Sequence, residues 1–390
     1  MDADVIVVGA GPAGSATALG LARAGWRVLI VDRAVFPRFK PCGEYLNPAA
    51  VAALDRLGLG GEVAAAGASL SGMFVAGPDG AAFWAPFPSG RGLLVPRARL
   101  DALLLAAAAR AGVRVMEGCR VDAAHPGPAP TVGVRCSGRS LRLAARLVVG
   151  ADGLRSAVAR WAGPLRPAAG ARYTVGAYFE GLRVAGPRGD LHLGTACYAG
   201  AAIYGGGAGN VVAAVPVAWL RARRAADGAF AAAVAALPLL APMLAGARRV
   251  SPFAAVGPLG FTRRPAIADG LLLVGDAAGT IDPMTGEGIA LALRGAELAV
   301  AIAGAALATG PATRRALVEY ERARARAFGD TWRASRLLQW LVRRPRLLPR
   351  LVRRLAARPP LAAAVLGAVS EVRPAADLLT PRRLLELVTP

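Results

Sequence analysis

Three aspartates in the sequence each follow a short apolar run that is typical of a buried strand. They are Asp32, Asp152 and Asp276. Runs rich in valine, leucine and isoleucine are common in parallel sheets that are covered on both faces. Open α/β sheets bind their ligands outside the carboxyl ends of the strands. We therefore predict that these segments meet along one edge of such a sheet and form one ligand site.

The first apolar run, residues 4–8, leads into a glycine-rich loop with the sequence GAGPAG and then an Ala/Leu-rich helix. Gly9 permits a tight turn, Gly11 leaves room for a pyrophosphate, and Gly14 lets the helix lie close to the strand. The helix N-terminus offers free N–H groups to phosphates. An ordinary strand–turn–helix is the alternative, and the motif alone does not separate FAD from NAD. The residues predicted to bind the dinucleotide here are Gly9, Gly11, Pro12, Ala13, Gly14, Asp32 and Arg33.

Two further motifs follow, GADG at 150–153 and GDAAG at 275–279. The three motifs, in this order, resemble the flavoprotein superfamily that includes para-hydroxybenzoate hydroxylase, the flavin halogenases and the geranylgeranyl reductases. The resemblance covers roughly residues 1 to 330 and implies FAD as the cofactor. It implies that Asp276 binds the FAD ribitol and that Arg97 lies near the flavin phosphates, a solvated helix start being the alternative for Arg97. Further cofactor contacts that it implies are Cys42, Gly43, Val121 and Asp152.

The segment after GDAAG also has a physical interpretation. Gly286 and Gly288 allow a flat ring to approach the backbone closely. The helix that begins there would stabilise negative charge on a reduced flavin. An ordinary glycine-rich loop is the alternative. The predicted cofactor contacts of this segment are Gly275, Asp276, Pro283, Gly286, Glu287, Gly288 and Ile289.

The predicted fold class is α/β: a Rossmann-type FAD-binding domain (GR2-like) with an inserted antiparallel β-sheet substrate domain and a C-terminal helical region. We assign residues 1–66, 92–165 and 262–330 to the FAD-binding domain, 67–91 and 166–261 to the substrate domain, and 331–390 to the helical region. Alternating apolar residues around Pro78-Asp79-Gly80 predict a hairpin. One alanine-rich helix is predicted over 219–237.

Among the branches of this superfamily, the sequence most resembles the geranylgeranyl reductases. The pattern GDAAG-x-x-x-P-x-T-G-E-G-I and the segment Pro41-Cys42-Gly43-Glu44 both point to that branch. Cys42 is interpreted as a residue at the reactive face of the flavin, or alternatively as a small buried thiol. The Tyr-x-Trp-x-Phe-Pro signature of prenyl reductases is reduced here to Tyr198 or Tyr204. The Trp-x-Trp-x-Ile-Pro motif of halogenases is absent from the sequence.

We therefore predict an FAD-dependent oxidoreductase that uses NAD(P)H-derived electrons on a lipophilic, polyketide-like or isoprenoid-like molecule. Reduction of a carbon–carbon double bond is favoured over hydroxylation of a secondary metabolite by an FAD-dependent monooxygenase. A non-catalytic flavin-binding protein is a third hypothesis. Only one dinucleotide fingerprint is present, so NAD(P)H must bind transiently elsewhere. Cys42, Tyr204 and Glu287 are the catalytic candidates, the last two as proton donors, and structural roles are the alternative for them.

Composition limits the other functions. The net charge is +22, and Lys40 is the only lysine. A bias towards alanine, glycine, proline and arginine accounts for part of this charge. The sequence contains no zinc-finger or RNA-binding signature, so we predict no nucleic-acid partner. Four scattered cysteines and two histidines predict no metal site and favour a reducing, cytoplasmic location; the oligomeric state is left open.

The C-terminal sixty residues combine leucines with many arginines. Pro345 and Pro349 are predicted to break or kink this helical stretch. One interpretation is a cap that packs its leucines on the core and solvates its arginines. The other is peripheral contact between basic amphipathic helices and the inner face of the membrane.

Overall fold

The computed structural model describes residues 1–163, 172–223, 225–260 and 265–388. The predicted domain limits at 165/166 and 261/262 lie outside these residues, and the domain boundaries stay a prediction. The strands within the described residues are β1 Val5–Val8, β2 Val28–Val31, β3 Tyr45–Leu46, β4 Ala68–Leu70, β5 Gly72–Ala76, β6 Ala82–Pro86, β7 Gly92–Leu94, β8 Arg114–Met116, β9 Cys119–His125, β10 Thr131–Cys136, β11 Arg139–Ala144, β12 Leu147–Gly150, β13 Arg172–Glu180, β14 Arg188–Leu193, β15 Tyr198–Gly205, β16 Ala208–Pro216, β17 Arg248–Arg249, β18 Ala254–Leu259, β19 Ile267–Ala268 and β20 Leu271–Leu273.

The α-helices of the same residues are α1 Pro12–Arg23, α2 Pro48–Arg56, α3 Gly60–Ala65, α4 Arg97–Arg110, α5 Val217–Arg223, α6 Ala226–Ala236, α7 Leu240–Leu244, α8 Gly288–Thr309, α9 Arg314–Val342, α10 Leu347–Ala357, α11 Pro359–Val369 and α12 Pro381–Val388. Short 3₁₀ helices span Val158–Trp161, Gly275–Ala277, Pro283–Thr285 and Ala375–Leu379.

The first sheet has the strand order β19-β20-β12-β1-β2-β8, and only its β19–β20 pair is antiparallel. Every residue of β1, β2 and β12 is buried, as expected where helices cover both faces of a parallel sheet. The carboxyl ends of β20, β12 and β1 lie side by side, so the three sequence motifs meet at one edge. This is the predicted Rossmann-type domain, and the fold class is confirmed.

The second sheet runs in the order β17-β13-β16-β15-β14-β5-β6, with β18 also paired to β13. Its pairs are antiparallel except for β14 with β5. The predicted hairpin around Pro78-Asp79-Gly80 is the β5–β6 pair. One face packs on α6 and α7, and the other on the C-terminal helices. This sheet therefore lies between two helical layers.

The prediction of a single helix over 219–237 is wrong. The structure has two helices, α5 and α6, because Ala225 takes an extended backbone conformation and caps the second. The prolines of the C-terminal region also differ in effect. Pro345 lies between α9 and α10, whereas Pro349 lies in the first turn of α10, where a missing N–H removes no helical hydrogen bond.

The spacing of the four cysteines suggested no disulfide, but two of them are paired. Cys119 and Cys136 face each other on β9 and β10 and form a disulfide with a Cα–Cα separation of 4.4 Å. Cys42 and Cys197 are free thiols. The sequence carries no signal for this pair, because its proximity depends on the register of a sheet formed by β9, β10 and β11.

Helix α8 is the one described helix that is long and apolar enough to cross a membrane by length and composition. Its buried residues, such as Leu293 and Ala299, belong to the hydrophobic core of the first sheet. It begins at Gly288, at the position that the glycine-rich segment predicted. We therefore describe it as a core helix packed on the first sheet.

A buried polar cluster joins the C-terminal helices to both sheets. Asp282, just before the 3₁₀ turn 283–285, forms an ion pair with Arg172 of β13 at 3.1 Å. The same carboxylate accepts hydrogen bonds from the Tyr198 hydroxyl at 2.5 Å and from Nε2 of Gln339 at 2.8 Å. Gln339 lies on α9 and its Oε1 accepts a further hydrogen bond from Arg172 at 2.9 Å. The cluster thereby connects the loop after GDAAG, the second sheet and α9.

Candidate active site

The nucleotide end of the site is formed by the loop between β1 and α1. A Cβ on Gly14 would lie 1.9 Å from the Gly9 carbonyl oxygen, so this close helix–strand contact requires glycine. A Cβ on Gly11 would meet only Nη2 of Arg38, at 3.6 Å. The space in front of residue 11 is therefore open and faces a guanidinium group, which fits a pyrophosphate.

The Asp32 side chain is held in one orientation by hydrogen bonds within the protein. Its side chain is buried and accepts hydrogen bonds from the Ala10 amide at 2.6 Å and the Ala34 amide at 2.8 Å, one on each oxygen. Each carboxylate oxygen has a further acceptor site. This geometry fits the predicted role of binding ribose hydroxyls. Arg33 beside it is exposed.

A cavity of about 240 Å³ extends from this loop to the start of α8. We call it the flavin cavity. It brings together most of the predicted cofactor contacts from four distant segments. The predicted residues in its wall are Gly11, Pro12, Ala13, Cys42, Gly43, Arg97, Gly275, Asp276, Pro283, Gly286, Gly288 and Ile289.

The other predicted residues lie outside this wall. Gly9, Gly14 and Asp32 shape the loop behind it. Val121 is buried in the core on β9, away from the cavity lining. The Asp152 carboxylate accepts hydrogen bonds from the Ser156 hydroxyl and the Ala157 amide. It therefore caps the segment after β12, and its neighbours Ala151 and Gly153 line the cavity instead.

Arg97 is buried at the N-terminus of α4 and forms a bidentate ion pair with Asp101, at 2.8 and 3.0 Å. Burial alone would lower its pKa, but the Asp101 carboxylate and the nearby Cys42 thiol outweigh burial and hold the Arg97 pKa above its usual range. Arg38 also pairs with Asp101, at 3.1 Å. Two guanidinium groups thus share one carboxylate, which leaves one net positive charge among these three residues.

Lys40 was noted in the sequence only as the single lysine. The structure places it in the flavin cavity, with its Nζ close to Gly153 and in the field of Asp276. Burial lowers the pKa of Lys40, Arg97 lowers it further, and Asp276 opposes the shift. Sequence reasoning missed Lys40 because it belongs to no fingerprint.

Glu44 is the second residue that the sequence did not single out as a site residue. It is buried at the cavity wall, at a backbone φ of 56°. Its carboxylate accepts hydrogen bonds from the Tyr178 hydroxyl at 2.5 Å, the Tyr204 hydroxyl and the Arg97 amide at 2.8 Å. Burial raises the pKa of Glu44, and the two tyrosine hydroxyls partly oppose this shift. The predicted catalytic residue Tyr204 therefore reaches the cavity through Glu44.

Glu287 is almost fully buried behind the flavin cavity and accepts a hydrogen bond from the Thr285 hydroxyl at 2.7 Å. Burial raises its pKa to about 8. Glu287 is not among the described wall residues of the flavin cavity, nor of the neighbouring apolar cavity described below. Its roles as proton donor and cofactor contact stay predictions.

A second, apolar cavity of about 200 Å³ adjoins the flavin cavity. We call it the apolar cavity. Its wall combines the inner face of the second sheet with α9, α10 and α11, for example Met73, Phe83, Leu351 and Leu366. The two cavities share six wall residues, which we call the junction: Gly43, Tyr45, Thr174, Val212, Pro283 and Gly286.

A Rossmann-type site that adjoins an apolar cavity fits a flavin-dependent enzyme with an apolar substrate. The chain belongs to the FAD-binding domain family, whose model matches residues 2–335. It is 30% identical over 345 residues to digeranylgeranylglycerophospholipid reductase 1 of Methanothermobacter thermautotrophicus, covering 84% of each chain. It is 35% identical over 324 residues to the menaquinone reductase of Mycolicibacterium smegmatis, covering 76% of this chain and 75% of that one.

Solved structures agree with this assignment. The myxobacterial chondrochloren halogenase, an FAD-dependent halogenase, superposes with a TM-score of 0.78 at 27% identity, over 85% of this chain and 81% of that one. A geranylgeranyl bacteriochlorophyll reductase-like protein of Thermoplasma acidophilum gives 0.83 at 22% identity over 99% and 98%, which shows the fold. The predicted superfamily is confirmed, and the protein is an FAD-dependent oxidoreductase. NAD(P)H, the usual reductant of such enzymes, stays the expected electron source.

Replacing Asp276 by alanine is expected to abolish stable FAD binding, because the variant loses a cavity-wall carboxylate that the family resemblance predicts to bind the FAD ribitol. FAD content is measured from flavin absorbance after gel filtration, with circular dichroism as a check of folding. Asp122→Ala, which removes an exposed carboxylate paired with Arg135, is the control and should retain full FAD. An Asp276→Ala protein that keeps one FAD per chain would contradict the assignment.

Glu287 is expected to make stability depend on pH. Its pKa is about 8 in the folded chain against an ordinary value of 4.5. The stability that the neutral Glu287 side chain contributes is therefore complete below pH 4.5 and is lost as the pH rises to about 8. The free energy of unfolding should therefore fall by roughly a few kcal/mol from about pH 5 to about pH 8. Glu287→Gln cannot ionise and should show a smaller fall. Urea unfolding of the FAD-loaded proteins measures this, and parallel pH profiles would refute it.

Proposed function

We propose that this protein is an FAD-dependent reductase that saturates carbon–carbon double bonds in a long, isoprenoid-like lipid. One observation carries the proposal: the apolar cavity meets the flavin cavity at the junction. A substrate chain in the apolar cavity would end against the place where the flavin ring is expected. The relatives named as reductases of a digeranylgeranyl lipid and of menaquinone support the same reaction class.

The wall chemistry of the apolar cavity supports an alkyl or polyprenyl chain. Aliphatic and aromatic side chains of the second sheet and of α9, α10 and α11 form most of it. Asp190 lies in this wall, but its carboxylate is held by Arg188 at 2.6 and 2.7 Å. The Tyr198 hydroxyl is engaged by Asp282. Binding would therefore depend on burial of apolar surface, about 25 cal/mol per Å², and a charged headgroup would remain outside.

Reduction of a double bond needs one hydride and one proton, delivered to its two carbons. FAD, when bound and reduced, supplies the hydride equivalent. For the proton, the Tyr178 and Tyr204 hydroxyls and the Glu44 carboxyl form a hydrogen-bonded chain that ends in the flavin-cavity wall. Burial first, and then the Glu44 carboxylate, raises the pKa of both tyrosines. Both hydroxyls are therefore protonated but weak acids, so proton delivery depends on their hydrogen bonds to Glu44, which holds them at the cavity.

The monooxygenase hypothesis predicts different behaviour with the same cofactor. The deciding experiment starts with FAD-loaded protein that is reduced by dithionite without oxygen. It is then mixed with a micellar lipid that carries geranylgeranyl chains. We expect flavin absorbance to return and the lipid to gain two hydrogen atoms by mass spectrometry. Flavin that stays reduced until oxygen is added, with an oxygen atom in the product, would establish the monooxygenase instead.

Narrowing the apolar cavity tests where the substrate lies. Val365→Trp adds bulk to the cavity wall on α11 and is expected to slow lipid-dependent flavin reoxidation at least roughly tenfold. FAD content should not change. The control is Val318→Trp on the exposed surface of α9, which should behave as the parent protein. Equal rates for Val365→Trp and the parent would place the substrate elsewhere.

We further propose that the protein is cytoplasmic and docks peripherally on the inner face of an anionic membrane, from which the lipid enters. Nine arginines and no acidic residue lie between Asp330 and Glu371. Leu351 and Leu355 of α10 face the core, while Arg346 and Arg350 are exposed. Trp340 is 49% exposed, with the Arg344 guanidinium 4.7 Å from its ring centroid. Basic residues beside an exposed tryptophan favour the headgroup region of a bilayer.

Charge reversal on this surface is expected to release the protein from membranes. The variant Arg344→Glu/Arg346→Glu/Arg350→Glu should bind phosphatidylglycerol vesicles roughly a hundredfold more weakly in co-sedimentation, since each basic residue contributes about 1 kcal/mol. Its control, Arg120→Glu/Arg139→Glu/Arg142→Glu, makes the same charge change on exposed positions of β9 and β11. If both variants lost vesicle binding equally, the effect would come from net charge alone and the proposed docking surface would be wrong.

A further inference from the structure

A third, polar cleft opens on the side of the flavin cavity formed by α9. It has a volume of about 510 Å³ and adjoins the flavin cavity, with which it shares Arg324, Phe328 and Trp332. Ala278 of the GDAAG motif lies in its wall, while Asp276 of the same motif lines the flavin cavity. The cleft is therefore separated from the flavin cavity by one short segment of chain.

The cleft wall is basic and aromatic. Arg324, Phe328, Trp332 and Arg336 recur every four residues along α9, which places them on one helix face. Arg333 adds a third guanidinium, and Glu321 is the one carboxylate in the described wall. Glu321 is engaged by the Ala266 amide at 2.8 Å. Arg333 pairs with Asp330 at 2.5 Å, so three arginines face two carboxylates and leave an excess of one positive charge.

The wall is also held in place before a ligand binds. The Tyr320 hydroxyl donates to the Leu273 carbonyl of β20 at 2.9 Å, which fixes α9 to the first sheet. The Arg324 guanidinium lies 6.0 Å from the Phe328 ring centroid and 5.6 Å from that of Tyr320. Gly329 lies in the cleft wall, and a Cβ there would meet nothing within 4 Å.

We propose that this cleft binds the nicotinamide dinucleotide that reduces the flavin. Guanidinium groups bind phosphates, and an indole ring stacks on flat heterocycles and cations. A dinucleotide offers phosphates and flat rings together. The inference rests on the proposed function, because it assumes that NAD(P)H supplies the two electrons that the lipid receives.

The balance of the reaction agrees with two separate entrances. NAD(P)H loses a hydride and becomes NAD(P)⁺, and the lipid double bond gains that hydride equivalent and one proton, which the tyrosine–Glu44 group passes on and regains from the solvent. The reductant is anionic and water-soluble, whereas the lipid is apolar. The cleft meets the flavin cavity along α9, and the apolar cavity meets it at the junction. These two walls share no residue in the described chain, so the two ligands would not compete for the same wall.

Binding of the oxidised dinucleotide provides the test, because it needs no turnover. NAD⁺ and NADP⁺ are titrated into the FAD-loaded protein by calorimetry. Arg333→Gln/Arg336→Gln is expected to raise the Kd at least roughly tenfold, since each charge-assisted hydrogen bond contributes about that factor. The control Arg322→Gln/Arg326→Gln changes exposed arginines of the same helix that pair with Glu319 instead, and its Kd should match that of the parent.

Gly329→Leu tests the same cleft without changing charge. Leucine favours the helix more than glycine does, so the variant should fold, yet its side chain would fill the cleft and raise the Kd. Parent protein that binds neither dinucleotide, or cleft variants that bind as tightly as the parent, would overturn the inference. The proposed function is tested separately: dithionite-reduced cleft variants should still pass electrons to the lipid at the parent rate. If the dithionite-reduced parent protein did not reduce the lipid, the proposed function would be wrong, but the measured dinucleotide binding would still support the cleft as its site.

Discussion

The arrangement of the three cavities depends on a buried carboxylate, that of Asp282, which needs ion-pair and hydrogen-bond partners. Asp282 is 1% exposed, and an unpaired charge at such a depth would be strongly destabilising. Arg172, Tyr198 and Gln339 provide its partners. They come from two strands of the second sheet and from α9, so satisfying one side chain fixes three segments that are distant in sequence. The C-terminal helices are therefore an integral wall of the active site.

Glu44 imposes a matching constraint on the opposite side of the junction. Its partners are Arg97 of α4 and two tyrosines of the second sheet, and the Asn210 side chain adds a hydrogen bond to the Cys42 carbonyl at 2.6 Å. The loop 41–46 is thus held to both domains. With the Asp282 loop fixed in the same way, the two loops face each other across the junction. The flavin-facing surface is preorganised by polar contacts, although most of the surrounding core is apolar.

The sequence predicted the parts of the site that obey local rules. The turns at Gly9–Gly14 and Gly275–Gly279, the aspartate after β2 and the start of α8 each follow from a strand, a glycine and a helix in succession. The partners of Glu44 and Asp282 could not be predicted, because they depend on how the second sheet packs against the first. The same holds for Lys40 and Arg38, for the Cys119–Cys136 pair, and for Asp152, whose carboxylate turns back onto its own chain. Local patterns gave the fold class, and long-range packing decided the polar interior.

The position of Lys40 has a consequence for chemical labelling. It carries the only side-chain amine in 390 residues, and that amine lies in the flavin cavity rather than on the surface. Apart from the amino terminus, acylating and aldehyde reagents have no other primary amine to modify. A single covalent adduct at this position would therefore mark chains whose cofactor pocket was accessible. Lysine-directed crosslinkers, by the same reasoning, would leave the arginine-rich exterior unmodified.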